Sequence, residues 1–140
     1  GGGVGVVAAC DYAIALDTAS VKLSELSIGI GPYVIEPAVS RKIGATNFGL
    51  LSLDAHEWKS AEWAKQKGLF ASVCDSEAAL NQSVVNIANR LASYPKKANE
   101  SLRKLHWKDT NHWEKLLPEN AKITAKLALE KATQNILNKL

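Results

Sequence analysis

Methionine is absent from the sequence, which opens on Gly1-Gly2-Gly3 instead of an initiator residue. The chain is therefore expected to be the C-terminal portion of a longer polypeptide. Cysteine is nearly absent too. Cys10 and Cys74 stand far apart with no CxxC spacing, which excludes a disulfide framework and a zinc site built on paired thiols; both are expected as reduced, buried thiols. No histidine spacing among His56, His106 and His112 makes a metal site or a triad, so no metal is expected. Long apolar runs are missing as well. Val4 to Cys10, near the start, is far too short to span a bilayer, and no signal peptide is visible, so a cytoplasmic protein without a membrane partner is expected. Nor is there a block of charge of one sign. Lys and Arg number 17 against 14 Asp and Glu, a net charge of +3 spread through the second half, which predicts a solvated helical surface and excludes a nucleic-acid stripe.

What remains is an ordinary globular balance, 46% hydrophobic and 22% charged, in a length that suits one core. Two compositional zones divide it. Residues 1–75 are rich in Gly, Val, Ile and Ala in short periodic segments; residues 76–140 are helical in pattern, with breaks expected at Tyr94-Pro95 and near Pro118. In the first zone a short helix is predicted over Gly3 to Ala9, a buried strand over Asp11 to Leu16 and a second strand over Val21 to Leu23. Pro32 suits the first turn of a helix from Tyr33 to Ile43 that Gly44 would close, and another helix is predicted over Ala45 to Leu53. Ser60 to Lys67 carries an N-cap serine and stops at Gly68, and Leu69 to Cys74 is strand-like. Beyond, Glu77 to Ala92 places Leu80, Val84, Ile87 and Leu91 on one stripe, and a last helix, about Ala121 to Leu140, aligns Ala125, Ala128, Leu129, Ala132, Ile136 and Leu140. Strands followed by helices, then helices alone, predict an α/β fold with a helical appendage.

Two features carry chemistry. The first is the run Gly1-Gly2-Gly3-Val4-Gly5 at a helix start, where unpaired N–H groups and the helix dipole can hold a phosphate or a developing oxyanion. Gly3-x-Gly5-x-x-Ala8 also fits the dinucleotide fingerprint, but Asp11 and the next strand arrive after only two turns, too soon for that fold. The second is Glu25, set between a strand and the loop Ile28-Gly29-Ile30-Gly31-Pro32. It should project from the strand end, and its apolar neighbours Leu23, Leu26 and Ile28 suit a group that moves protons.

Taken together, the glycine run, Ala9-Cys10-Asp11, a strand, Glu25 at 23 residues beyond Gly2, and Ile-Gly-Ile-Gly-Pro resemble the enoyl-CoA hydratase/isomerase (crotonase) family. The likeness continues through Arg41-Lys42-Ile43-Gly44 and Ser60-Ala61-Glu62-Trp63-Ala64 to Gly68-Leu69, and is loose beyond residue 75. The resemblance implies a crotonase-like ββα superhelix, of which residues 1–75 would be the C-terminal part, followed by a helical trimerisation region at 76–140. It implies acyl-CoA thioester chemistry through a stabilised enolate, in a homotrimer or hexamer, with coenzyme A as part of the substrate and no other cofactor. Gly2 would donate its amide to the thioester oxygen and Glu25 would act as acid or base; Gly1, Gly3, Pro32 and Tyr33 would bind substrate.

One departure matters. Many hydratases of that family carry a second Glu two residues after the glycine run, where this sequence has Gly5. A hydration needing two carboxylates is thereby disfavoured, and double-bond isomerisation by a single base is the better expectation. The alternative is a non-catalytic acyl-CoA-binding or assembly protein on the same scaffold. The family's second oxyanion donor comes from a loop upstream of these residues, so they alone are expected to be inactive. Glu36 is expected at a surface position of its helix, Trp58 and Trp63 in the core, and His106, Trp107, His112 and Trp113 in surface or interface packing.

Overall fold

The structure, a computed structural model, describes residues 1–139. Its elements in chain order are α1 (Gly2–Ala8), β1 (Ile14–Leu16), β2 (Ser20–Val21), a single 3-10 turn (Glu25–Ile28), α2 (Glu36–Ile43), α3 (Ala45–Leu53), β3 (Lys59–Ser60), α4 (Ala61–Gln66), β4 (Ser72–Cys74), α5 (Glu77–Ser93), α6 (Lys96–His106), α7 (Trp113–Leu129) and α8 (Lys131–Leu137). None of the helices among the described residues is long and apolar enough to cross a membrane.

The core belongs to the first zone. Val4 and Ala8 of α1, Ala15 of β1, Val21, Leu23, Val39 and Ile43 of α2, Leu51 of α3, Ala61 and Ala64 of α4, and Leu69 with Phe70 pack as one cluster. Leu23, Leu51 and Leu69 are wholly enclosed, each contributing about 1.5–3 kcal/mol of transfer free energy. Strands β1 and β4 pair in parallel, Ile14 against Ser72 and Leu16 against Cys74, and α2, α3 and α4 make the long crossover that a parallel pair requires. Strands β2 and β3 pair antiparallel, Val21 against Lys59. Such short ladders leave both predicted long strands trimmed: Asp11 to Ala13 and Leu69 to Ala71 lie outside the strands, though the Ala71 amide still donates to the Ala13 carbonyl at 2.7 Å, and the second strand is Ser20–Val21 instead of Val21 to Leu23.

Local signals place the helix ends. The Ser60 hydroxyl accepts from the Trp63 amide at 3.1 Å to open α4, and Gly68, at φ 82°, follows its end. Gly44 closes α2 and opens α3 in one residue, at φ 81° and ψ 151°, a region that essentially only glycine enters. Helix α2 starts at Glu36, with Pro37 in its first turn, so Pro32 and Tyr33 stay in the preceding loop and not in the helix predicted for them.

Past residue 75 the helices lie over the core more than within it. No residue of α5, α6 or α7 is buried; on the predicted stripe of α5, Leu80 and Ile87 are half-buried while Val84 and Leu91 are exposed. A polar clasp holds α6 down. Asp11 accepts from Arg103 Nε at 2.7 Å and from Trp107 Nε1 at 2.5 Å, and Arg41 stacks on the Trp107 ring at 4.1 Å while donating to the His106 carbonyl. Trp107 meets Trp113 edge to face, with centroids 6.0 Å apart. Burial pushes the Asp11 carboxyl up, but the hydrogen bonds from Trp107 and Arg103 and the charges of Arg103 and Lys42 outweigh it and hold the group below its ordinary value.

Pro118 lies inside α7 and does not break it. Proline and the carbonyl of Glu114, which loses its amide donor, both stand on the exposed side where water can serve. The break falls instead at Glu130, whose backbone is extended, so Leu129 ends one helix and Lys131 starts another. The single helix predicted over about Ala121 to Leu140 is thus divided, and of the residues aligned on one face of it Leu129 is 79% exposed and Ile136 is exposed as well; Leu140 lies outside the described residues. Cys10 is exposed and Cys74 half-buried, which corrects the expectation of two buried thiols.

Candidate functional site

Helix α1 buries Val4 and Ala8 in the core, and this anchors its glycine end at the surface. The nitrogen of Gly1 donates to the Lys22 carbonyl at 2.5 Å, tying the run to the segment that follows β2. Gly2 and Gly3 are exposed, and a β-carbon on either would meet nothing within 4 Å, so their backbone is open to close approach. Around them Gly1, Gly2, Gly3, Ser20, Lys22, Ser24 and Trp58 border an open cavity of about 610 Å³. Trp58 does not pack the core. It is 62% exposed, with the Lys22 ammonium 4.6 Å from its ring centroid; its indole is a wall of this cavity. Trp63 does pack against the core.

Glu25 sits beside that cavity. Contrary to expectation it does not extend from a strand end: β2 stops at Val21, Leu23 plunges into the core, and Glu25 begins the 3-10 turn that Gly29 closes in the left-handed conformation, φ 82°. Its carboxylate points back to the glycine run, and a β-carbon placed on Gly1 would lie 3.6 Å from Oε1. Its other oxygen, Oε2, is buried with no hydrogen-bond partner. An unsatisfied buried carboxylate oxygen is expensive to maintain. The turn around it is tightly held: the Ile30 amide donates to the Glu25 carbonyl at 3.1 Å, and the Ser27 hydroxyl to the Ser24 carbonyl at 2.7 Å.

Pro32 and Tyr33 lie elsewhere. With Leu26, Gly31, Glu36, Phe48, Ser52 and Leu53 they line a second cavity of about 280 Å³, on the far side of the 3-10 turn in sequence. Tyr33 folds its ring over Gly31, where a β-carbon would come within 2.6 Å of Cε2. Glu36 is half-buried at the start of α2 and faces this cavity, so it is not a plain surface position. The structure thus brings Glu25 to Gly1 and sets Gly2 and Gly3 on the first cavity, with Pro32 and Tyr33 on the second.

Two residues escaped the sequence reading. Ile35 fills the space above Gly5: a β-carbon there would lie 2.8 Å from Ile35 Cβ and closer still to Cγ2. Thr133, on α8, donates its hydroxyl to the Gly29 carbonyl at 2.9 Å and is only 2% exposed. Both are apolar or neutral residues in unremarkable local sequence, and Thr133 is 104 residues away from its partner.

The sequence profile for enoyl-CoA hydratase/isomerase matches residues 1–136, nearly the whole chain. The chain belongs to the enoyl-CoA hydratase/isomerase family. Solved members share its fold. Against enoyl-CoA hydratase from Bacillus halodurans the TM-score is 0.90 at 24% identity, over 100% of this chain and 56% of that one. Against enoyl-CoA hydratase/isomerase from Pseudoalteromonas atlantica it is 0.86 at 17%, over 99% and 56%, and against enoyl-CoA hydratase from Mycobacterium avium 0.75 at 19%, over 99% and 59%. No curated protein matches the sequence. The chain therefore spans somewhat over half the length of these solved members, and its architecture is the crotonase-like fold in a mostly helical portion.

Proposed function

We propose that this protein moves the double bond of an acyl-CoA thioester from the 3 to the 2 position through a stabilised enolate, with Glu25 as the single base. The carboxylate takes a proton from Cα, the electron pair passes into the thioester carbonyl, and the amide of Gly2 donates to the resulting oxyanion. The same carboxylic acid then returns the proton to Cγ, so nothing enters or leaves. A second amide donor outside these residues completes the oxyanion site. Each such donor lowers the barrier by about 3–4 kcal/mol, and the positioned base contributes roughly 100- to 10,000-fold. Gly1 and Gly3 border the thioester, and Pro32 and Tyr33 line the pocket for the acyl chain.

The observation that carries this reading is the pairing of an unpartnered Glu25 oxygen beside the glycine run with Ile35 pressed over Gly5. The first supports a base whose lone pair is kept for substrate. The second supports isomerisation over hydration, because the place where a second carboxylate would enter is filled by an aliphatic side chain. Self-association as a trimer or hexamer through the last helices belongs to the same proposal; exposed Leu102, Leu105, Ile123 and Leu129 support it.

The test is to assay the full-length protein with 3-enoyl- and 2-enoyl-CoA, wild type beside Glu25→Gln. Isomerisation in the wild type that falls at least about 100-fold in the variant is expected. Equal rates in the two proteins, or none in either, favour a binding protein, and hydration outpacing isomerisation overturns the single-base mechanism.

A further inference from the structure

Among the described residues, Thr133 is the one polar residue buried as a whole, at 2% exposed, and it sits on the last described helix. Its hydroxyl donates to the carbonyl of Gly29 at 2.9 Å. The amide of the same peptide unit, that of Ile30, donates to the Glu25 carbonyl at 3.1 Å. One peptide plane is thus held at both ends, by α8 through its oxygen and by Glu25 through its nitrogen. Approach is close enough that a β-carbon on Gly29 would come within 2.5 Å of Thr133 Oγ1, and the positive φ of Gly29 already restricts the position to glycine.

We propose that Thr133 is a positioning residue for Glu25: α8 fixes the Gly29–Ile30 peptide, and that peptide fixes the turn from which the carboxylate projects. The proposal rests on the reading of Glu25 as the base, and it makes the C-terminal helix part of the catalytic apparatus as well as a covering layer. A peptide plane free to tilt would move the carboxylate relative to the glycine run. Misplacement by an ångström at a remote residue lowers turnover by up to about 100-fold. Substrate affinity should hardly change, since neither Thr133 nor Gly29 borders the cavity beside Gly1, Gly2 and Gly3.

The experiment compares wild type, Thr133→Val and Thr133→Ser in the full-length protein by amide hydrogen exchange at Ile30 and by kcat and KM for 3-enoyl-CoA. Valine keeps the shape and removes the donor; serine keeps the donor and removes the methyl group. In Thr133→Val, exchange at Ile30 should quicken about tenfold, the usual consequence of losing one hydrogen bond, with kcat reduced about 10- to 100-fold and KM within about twofold of wild type. Thr133→Ser should retain the exchange rate and most of kcat. The proposal is overturned if Ile30 exchange is unchanged in Thr133→Val, if kcat holds while exchange quickens, or if valine and serine are equally impaired. Absence of turnover in the wild type would instead defeat the reading of Glu25 and with it the catalytic half of this proposal, and the exchange rates would still decide whether Thr133 holds the turn.

Discussion

Replacing Gly5 by alanine tests the Gly5–Ile35 contact on which the proposed preference for a single base rests. Glycine inside a helix ordinarily loses about 1 kcal/mol to alanine, and Gly5 lies within α1, so propensity alone predicts stabilisation. Packing predicts the opposite. The added β-carbon would be 2.8 Å from Ile35 Cβ, an atom held by its own backbone and unable to swing aside. Overpacking of that kind costs about 1–3 kcal/mol, so the two effects leave a net loss of about 1 kcal/mol. Gly49, within α3, is the internal control, because a β-carbon there meets nothing within 4 Å; Gly49→Ala should gain up to about 1 kcal/mol. Urea unfolding of Gly5→Ala, Ile35→Ala and the double variant closes the cycle. With Ile35 truncated, Gly5→Ala should be at least about 1 kcal/mol less costly than in the wild type. If Gly5→Ala stabilises as much as Gly49→Ala, Ile35 does not occupy that space and a second carboxylate has room to enter there. The same geometry means that Gly5→Glu alone cannot install one without displacing Ile35.

Two further expectations concern stability. Asp11 has its folded-state pKa below the ordinary carboxylate value, so its clasp with Arg103 and Trp107 contributes fully above about pH 4 and is lost as pH falls through the lower folded value. Asp11 and Arg103 are both substantially exposed, so the contribution is under about 1 kcal/mol; an acid titration of tryptophan fluorescence should lose its low-pH step in Asp11→Asn, and an unaltered step would refute the assignment. Ser60→Ala removes the hydroxyl that accepts from the Trp63 amide, and thermal unfolding should show a loss of about 1 kcal/mol. No loss there would mean that the backbone of α4 is capped by other means.

Legibility in the sequence followed the range of the forces involved. Ser60, Gly44 and Gly68 act on their nearest neighbours, and each marked a helix end that the structure contains. The glycine run and Glu25 were visible because their residue types are unusual for their surroundings. Their relation was half visible: Glu25 reaches Gly1, but from a 3-10 turn, since the pairing of β2 with β3 ends at Val21 and the chain must bend to bury Leu23. Trp58 misled because indole mass suggests burial, whereas Lys22 gives its face a partner at the surface. Ile35 and Thr133 act through tertiary approach to glycines, Gly5 and Gly29, and nothing in their own neighbourhoods marks such a meeting.

Gly44 joins two helices with no intervening residue, in a backbone state closed to every side chain. The helix it launches carries Phe48, Ser52 and Leu53, one wall of the chamber that Pro32 and Tyr33 face from the other side. The breadth of that chamber is therefore set by a residue that never borders it. In the proposed function, where this chamber takes the acyl chain, chain-length preference is open to retuning at the three wall positions one by one, but not by changing the hinge, whose bend lies in a backbone region that essentially only glycine enters.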